Sequence, residues 1–159
     1  MSRVSLMLRS VPGRFVVVGL RLVLASVFLG AAIPKLQDPA QFARDIDNYR
    51  MLPDALIGPL AIGLPAAEVV LAAALIVGVH ARGAALACVG MLIAFAIGMI
   101  QAIARGIDLE CGCFGHVVEA QVSWWTVGRN VTLALGGALI VLSPDVAWRS
   151  LGRGRASAV

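Results

Sequence analysis

The sequence predicts an all-α integral membrane protein: a bundle of four spanning helices with a short amphipathic helix in the first outer loop. Three observations carry that expectation. The 159 residues are 60% hydrophobic and 14% charged, whereas a soluble domain is roughly 25% charged. The mean hydropathy is +0.91, and a small domain hides only about two thirds of the surface its unfolded chain exposes. Four stretches, 15–33, 56–79, 81–104 and 124–143, are apolar throughout. Each is close to the ~20 residues that a helix needs to cross ~30 Å of hydrocarbon at ~1.5 Å per residue. Together these exclude a soluble enzyme, a disordered chain and a secreted disulfide scaffold. The net charge is +4 and the pI about 9.6, but the basic residues are scattered along an oily chain. They bear on membrane orientation, and no nucleic-acid surface is expected.

Residues 1–14 form a basic tail with Arg3, Arg9 and Arg14. The first span follows. Gly30-Ala31-Ala32 loosely resembles a signal-peptidase site, but a signal core is about 7–15 residues long and this apolar run is longer, so the segment is expected to be retained. The next stretch has its own helix-start signal: Asp38 to cap, Pro39 at the first position and Gln41 at the third. Phe42, Ile46 and Tyr49 recur at helical spacing and Pro53 closes the segment, giving an expected surface helix over residues 39–51. It either covers the end of the bundle or forms a lid over chemistry in the second outer loop.

The second and third spans are separated by His80 alone, which marks a tight turn. Small residues at four-residue steps suggest close helix–helix seams: Gly90, Ala94 and Gly98 on the third span, Gly128, Thr132 and Gly136 on the fourth, Ser26 and Gly30 on the first. The fourth span opens with Trp124-Trp125, and Trp148 follows its other end, as interfacial anchors do. Residues 144–159 are a second basic tail.

With both termini inside, the inner side carries Arg3, Arg9, Arg14, Arg82, Arg149, Arg153 and Arg155. The outer side carries Lys35, Arg44, Arg50 and Arg105, together with most of the acids. The excess of inner basic residues fits the positive-inside rule.

Three charged residues fall a turn or more inside spans: Glu68, Arg21 and Arg129. A charge at the membrane centre costs at least ~2.5–3.5 kcal/mol on insertion scales, so each should face the bundle and find a partner. Depth favours an Arg21–Glu68 pair, with Arg129 and Asn130 nearer the outer loop. The pair either fixes helix register or belongs to a polar cavity for a small ligand or proton, and a protonated, unpaired Glu68 is the alternative.

The strongest local signal is Glu110-Cys111-Gly112-Cys113-Phe114-Gly115-His116, between the third and fourth spans. A disulfide across a single residue closes almost no loop and stabilises little on the chain-entropy model, while strained disulfides exchange readily. Redox exchange is therefore the leading reading for Cys111 and Cys113. The competing reading is a soft-metal site built from Cys111, Cys113 and His116. Cys88, far from this pair in depth, reads as a small buried hydrophobe.

The cysteine run, followed by Trp124-Trp125-Thr126-Val127-Gly128-Arg129-Asn130, resembles the MauE-like members of the DoxX-like superfamily of four-helix membrane proteins. Arg21-Leu22 through Phe28, Pro34-Lys35-Leu36, and Pro65 with Glu68 add weaker features. The resemblance spans residues 15–143. It implies a role in methylamine utilisation, where such proteins support maturation of the disulfide-rich small subunit of methylamine dehydrogenase alongside a thioredoxin-like partner. It maps the family's cysteine pair onto Cys111 and Cys113 and its helix-four polar pair onto Arg129 and Asn130. Pro34-Lys35 departs from the more usual Ser-Lys or Gly-Lys. One outer cysteine pair, with no Cys-x-x-Cys, means that a full relay needs a partner.

The expected protein is thus a multi-pass component of the bacterial inner membrane, both termini cytoplasmic and the cysteine loop periplasmic. If it is an enzyme, it is a thiol–disulfide oxidoreductase-like one. Arg105 or Arg129 would favour the attacking thiolate and Glu110 would oppose it. Glu68 and Arg21 would shape a polar interior for a quinone or another small electron carrier. A non-catalytic membrane scaffold is the remaining alternative.

Overall fold

A computed structural model describes residues 11–105 and 124–143, with side chains from Phe15 onward. The described residues form five helices and no strand. Four of the helices are long and apolar enough to cross a membrane.

Helix α1 runs from Val11 to Gln37. Its buried positions, Val17, Arg21, Leu24, Ala25, Phe28, Ala31, Ala32 and Lys35, step by three or four and form one stripe. The helix continues through Pro34, whose carbonyl accepts from the Asp38 N–H at 3.1 Å. Lys35 is consequently a buried helical residue, 2% exposed, and not one of the outer loop charges expected from the sequence.

Helix α2 spans Pro39–Asn48. As expected, Asp38 caps it, its carboxylate accepting from the Gln41 N–H at 2.8 Å. Gln41 does not complete a reciprocal box: its amide donates to Asp45 at 2.9 Å and its oxygen accepts from Arg44. The helix stops three residues before the expected end. Tyr49 and Arg50 donate to Ile46 and Asp47, and Arg50 turns into the left-handed region with φ 49°. Phe42 is the buried anchor of α2.

Helix α3 spans Asp54–Val77 and ends on Gly78. The glycine adopts φ 82° and donates to the Ala74 carbonyl, a left-handed cap that glycine takes without a Cβ penalty. His80, also left-handed, leads into α4, Ala81–Ala104, and α5 spans Trp124–Leu142.

The long helices pack antiparallel, α1 along α3 and α4 along α5, and those two contacts are the most extensive. Looser α3–α4 and α1–α5 seams close the ring. Large apolar side chains on every long helix point outward, among them Val23, Ile62, Val70, Leu86, Ile97 and Leu135. Such a surface suits lipid.

The close helix–helix contact falls elsewhere than the small-residue repeats suggest. A Cβ on Gly90, Gly128 or Gly30 would meet nothing within 4 Å, Ala94 is exposed, and Ser26 and Thr132 bond back to their own helices. Gly136 lies near Leu20 with ordinary clearance. The tight approach is at Gly137, where a Cβ would lie 2.6 Å from Val89 Cγ2. The buried stripe of α4 is Ala84, Ala85, Cys88, Leu92, Ala96, Met99 and Ala102.

Candidate functional site

A lysine and a glutamate meet in the apolar interior. Lys35 Nζ donates to Glu68 Oε1 at 2.5 Å, with both side chains 2% exposed. The Arg21–Glu68 pair expected from depth is not formed. Arg21 instead donates from Nε and Nη2 to the Leu75 carbonyl at 3.1 and 2.6 Å.

The physical reason is the lean of helical side chains. Every Cα–Cβ bond tilts toward its own helix N-terminus. Arg21 on α1 therefore leans toward the end carrying the α3–α4 turn, away from Glu68. Lys35 leans back into the bundle from the opposite end. Glu68, on the antiparallel α3, leans toward it.

Aromatic rings hold the ammonium from two sides. Lys35 Nζ lies 5.1 Å from the centroid of Phe42 on α2 and 5.2 Å from that of Phe95 on α4, both within cation–π range. One charged group thus ties α1 to α3 by an ion pair, and to α2 and α4 through their ring faces.

The second oxygen of Glu68, Oε2, is buried with no hydrogen-bond partner. Beside it lies a cavity of about 30 Å³ bounded by Phe28, Ala31, Lys35, Glu68, Phe95 and Asn130. That is room for one water molecule, and the walls bring polar atoms from Glu68 and Asn130. Asn130 is 7% exposed. Arg129, its neighbour, is half-buried in the second turn of α5.

A larger apolar groove of about 300 Å³ lies between α3 and α4, beneath α2 and the 49–52 linker. Its lining includes Phe42, Ile46, Tyr49, Leu64 and Phe95, with Lys35 shared between groove and small cavity. Arg105 Nη1 donates to the Arg50 carbonyl at 3.4 Å, tying the end of α4 to the linker.

Of the residues proposed from the sequence, Glu68 and Asn130 meet at the small cavity, while Arg21 belongs to a separate anchor on Leu75. Cys111, Cys113 and His116, and with them both the redox and the soft-metal readings, lie outside the described residues. The described residues that flank them in the chain, Arg105 and Trp124, both stand at the end of the bundle capped by α2. Lys35 is the site residue missed in the sequence. Its signal was phase: it stands four helical turns after Arg21 and two after Phe28 on one face.

The fold and this interior define a four-helix membrane bundle, built around a buried Lys–Glu pair and capped at one end by an amphipathic helix. Its family is established by sequence comparison. The chain belongs to the MauE family: the family model described as Methylamine utilisation protein MauE matches residues 13–143.

Similar proteins bear the same description. The Methylamine utilization protein MauE of Paracoccus denitrificans is 36% identical over 137 residues, covering 85% of this chain and 74% of that protein. The protein of that name from Methylorubrum extorquens is 38% identical over 116 residues, 72% of this chain and 62% of its own length. That of Paracoccus versutus is 36% identical over 126 residues, 77% and 68% of the two chains. The chain therefore spans about two thirds of the length of these relatives. No solved structure matches it.

Proposed function

We propose that the protein is the membrane component of a thiol–disulfide exchange system serving disulfide maturation in methylamine utilisation, with a periplasmic thioredoxin-like protein as its partner. The observation that carries this reading is the Cys111-Gly112-Cys113 run in a segment that starts and ends at the α2-capped end of the bundle. Two thiols one residue apart make a poor structural staple and a ready exchanging pair.

In the exchange, the thiolate of one cysteine attacks a disulfide sulfur of the partner. A mixed disulfide forms and one partner thiolate leaves, taking up a proton. The second cysteine, losing its proton, attacks the mixed disulfide. The products are a Cys111–Cys113 disulfide and a partner dithiol, so two electrons have passed to the partner. The reverse sequence returns them. The host membrane on this reading is the bacterial inner membrane, with both termini cytoplasmic.

Thiol trapping in intact membranes tests it. A Cys113→Ser variant, or its Cys111→Ser counterpart, should accumulate a mixed disulfide with a periplasmic protein, while Cys88→Ala leaves the wild-type pattern unchanged. If Cys111 and Cys113 remain fully reduced both at rest and under oxidant, and neither variant traps a partner, the redox reading fails.

A further inference from the structure

The groove beneath α2 lies just under one membrane surface. Lys35, on its inner wall, stands two residues before the end of α1 at Gln37, and the amphipathic α2 roofs it. The wall it offers is apolar. Lys35 is 2% exposed and its charge is met by Glu68, which leaves Tyr49, Leu52, Leu64, Ala94, Phe95 and Gly98 to line the space. Helices α3 and α4 meet here along a loose seam. Met51, Leu52 and Ala94 are exposed beside it, so the groove opens sideways to the surrounding hydrocarbon.

Two guanidiniums stand at its mouth. Arg50 lies between the lining residues Tyr49 and Met51. Arg105 follows Gly98 by two helical turns and so shares the groove face of α4. Its Nη1 reaches over the linker to the Arg50 carbonyl at 3.4 Å. Both arginine side chains are exposed, and among the described residues neither is paired with an acid. Each guanidinium offers N–H donors in a fork that fits a phosphate. Arg50 holds its place in the left-handed region, φ 49°, which glycine takes at less cost. On the same side stand Asp45, Asp47 and Asp54, which have no cation partner among the described residues.

These features select one occupant between them. A slot open to hydrocarbon suits an alkyl chain, and donors at the membrane surface suit a phosphate. A bilayer phospholipid brings both in this order, chain below and phosphate above. The acids narrow the headgroup: an ammonium beyond the phosphate answers them, and a net anion does not. We propose that the groove and its mouth bind one phospholipid of the phosphatidylethanolamine type, an acyl chain against Leu64, Ala94 and Phe95 and the phosphate accepting from Arg50 and Arg105. The chain fills the seam that α3 and α4 leave loose. Binding depends neither on the thiol exchange proposed above nor on which side of the membrane α2 faces.

The test uses the full chain, stripped of lipid in detergent, titrated with dioleoyl phosphatidylethanolamine and followed by native mass spectrometry. Dioleoylglycerol, with the same chains and no phosphate, and dioleoyl phosphatidylglycerol are the comparisons. One copy of phosphatidylethanolamine should bind saturably, more tightly than phosphatidylglycerol and at least about tenfold (1.4 kcal/mol) more tightly than dioleoylglycerol. Arg50→Gln/Arg105→Gln, at two exposed positions, should remove the preference over dioleoylglycerol. Ala94→Phe, which fills the groove from its wall, should weaken binding by at least about tenfold. Ile93→Phe, on a neighbouring exposed position, should leave it unchanged. Four results each overturn the proposal: equal binding of phosphatidylethanolamine and dioleoylglycerol, a preference that survives loss of both arginines, equal binding by wild type and Ala94→Phe, or phosphatidylglycerol binding as tightly as phosphatidylethanolamine.

Discussion

Lys35 and Glu68 are each costly in hydrocarbon when alone, and that sets how the site responds to substitution. Breaking a buried pair by removing one partner is destabilising by about 3–5 kcal/mol, because a charge is left without compensation, whereas replacing both partners by apolar groups is often neutral. Lys35→Met should therefore lower the melting temperature of the detergent-solubilised protein sharply, and Lys35→Met/Glu68→Met should recover most of the loss. A double variant as unstable as the single one would mean that ring contacts to Phe42 and Phe95, and not the ion pair, dominate at this position. At this scale Glu68 was legible, because an acid in the middle of an apolar span has to face the interior. Its partner was not. The apolar run ends at residue 33, which left Lys35 among the loop charges, and axial depth alone omitted the N-terminal lean that turns Arg21 away and Lys35 inward.

Between helices, contact depends on which side of each cylinder faces the partner. Gly90, Ala94 and Gly98 make a regular small-residue repeat, yet the buried stripe of α4 runs through Cys88, Leu92, Ala96 and Met99. The repeat could not reveal its own orientation, because lipid and bundle interior are both apolar and hydropathy does not distinguish them. The N-terminus of α2 was legible for the opposite reason. Asp38, Pro39 and Gln41 act locally, through one side-chain cap and one fixed φ. The structural use of glycine is now specific enough to test. Gly137→Ala places a methyl against Val89, a β-branched side chain with little rotamer freedom. It should cost about 1–3 kcal/mol as an overpacking change, read as a lower melting temperature. Gly128→Ala, in open space, should cost nothing. Equal effects from the two would remove the α4–α5 contact as a determinant of stability.

At the scale of the whole molecule, burying Lys35 alters the charge asymmetry on which orientation depends. Its charge is neutralised inside the bundle by Glu68, so the side carrying α2 keeps only Arg44, Arg50 and Arg105 as basic residues outside the spans. On the orientation proposed above, the opposite side carries Arg3, Arg9, Arg14, Arg82, Arg149, Arg153 and Arg155. Positive-inside bias is counted over short loops and the ends of spans, and with Lys35 buried the proposed orientation rests on seven basic residues against three. Antiparallel packing fixes the rest. Arg82 donates to the Ser143 carbonyl at 2.9 Å, so the α3–α4 turn and the end of α5 share a side, and Trp124 lies with α2 on the other. Cysteine accessibility measures this directly. In a background with Cys88→Ala, Cys111→Ser and Cys113→Ser, a cysteine placed by Asp47→Cys should react with a membrane-impermeant maleimide in intact spheroplasts. One placed by Val79→Cys, exposed beside the α3–α4 turn, should react only after permeabilisation. The reverse pattern would put the cysteine segment in the cytoplasm, where thiols are kept reduced, and would remove the periplasmic exchange partner along with it.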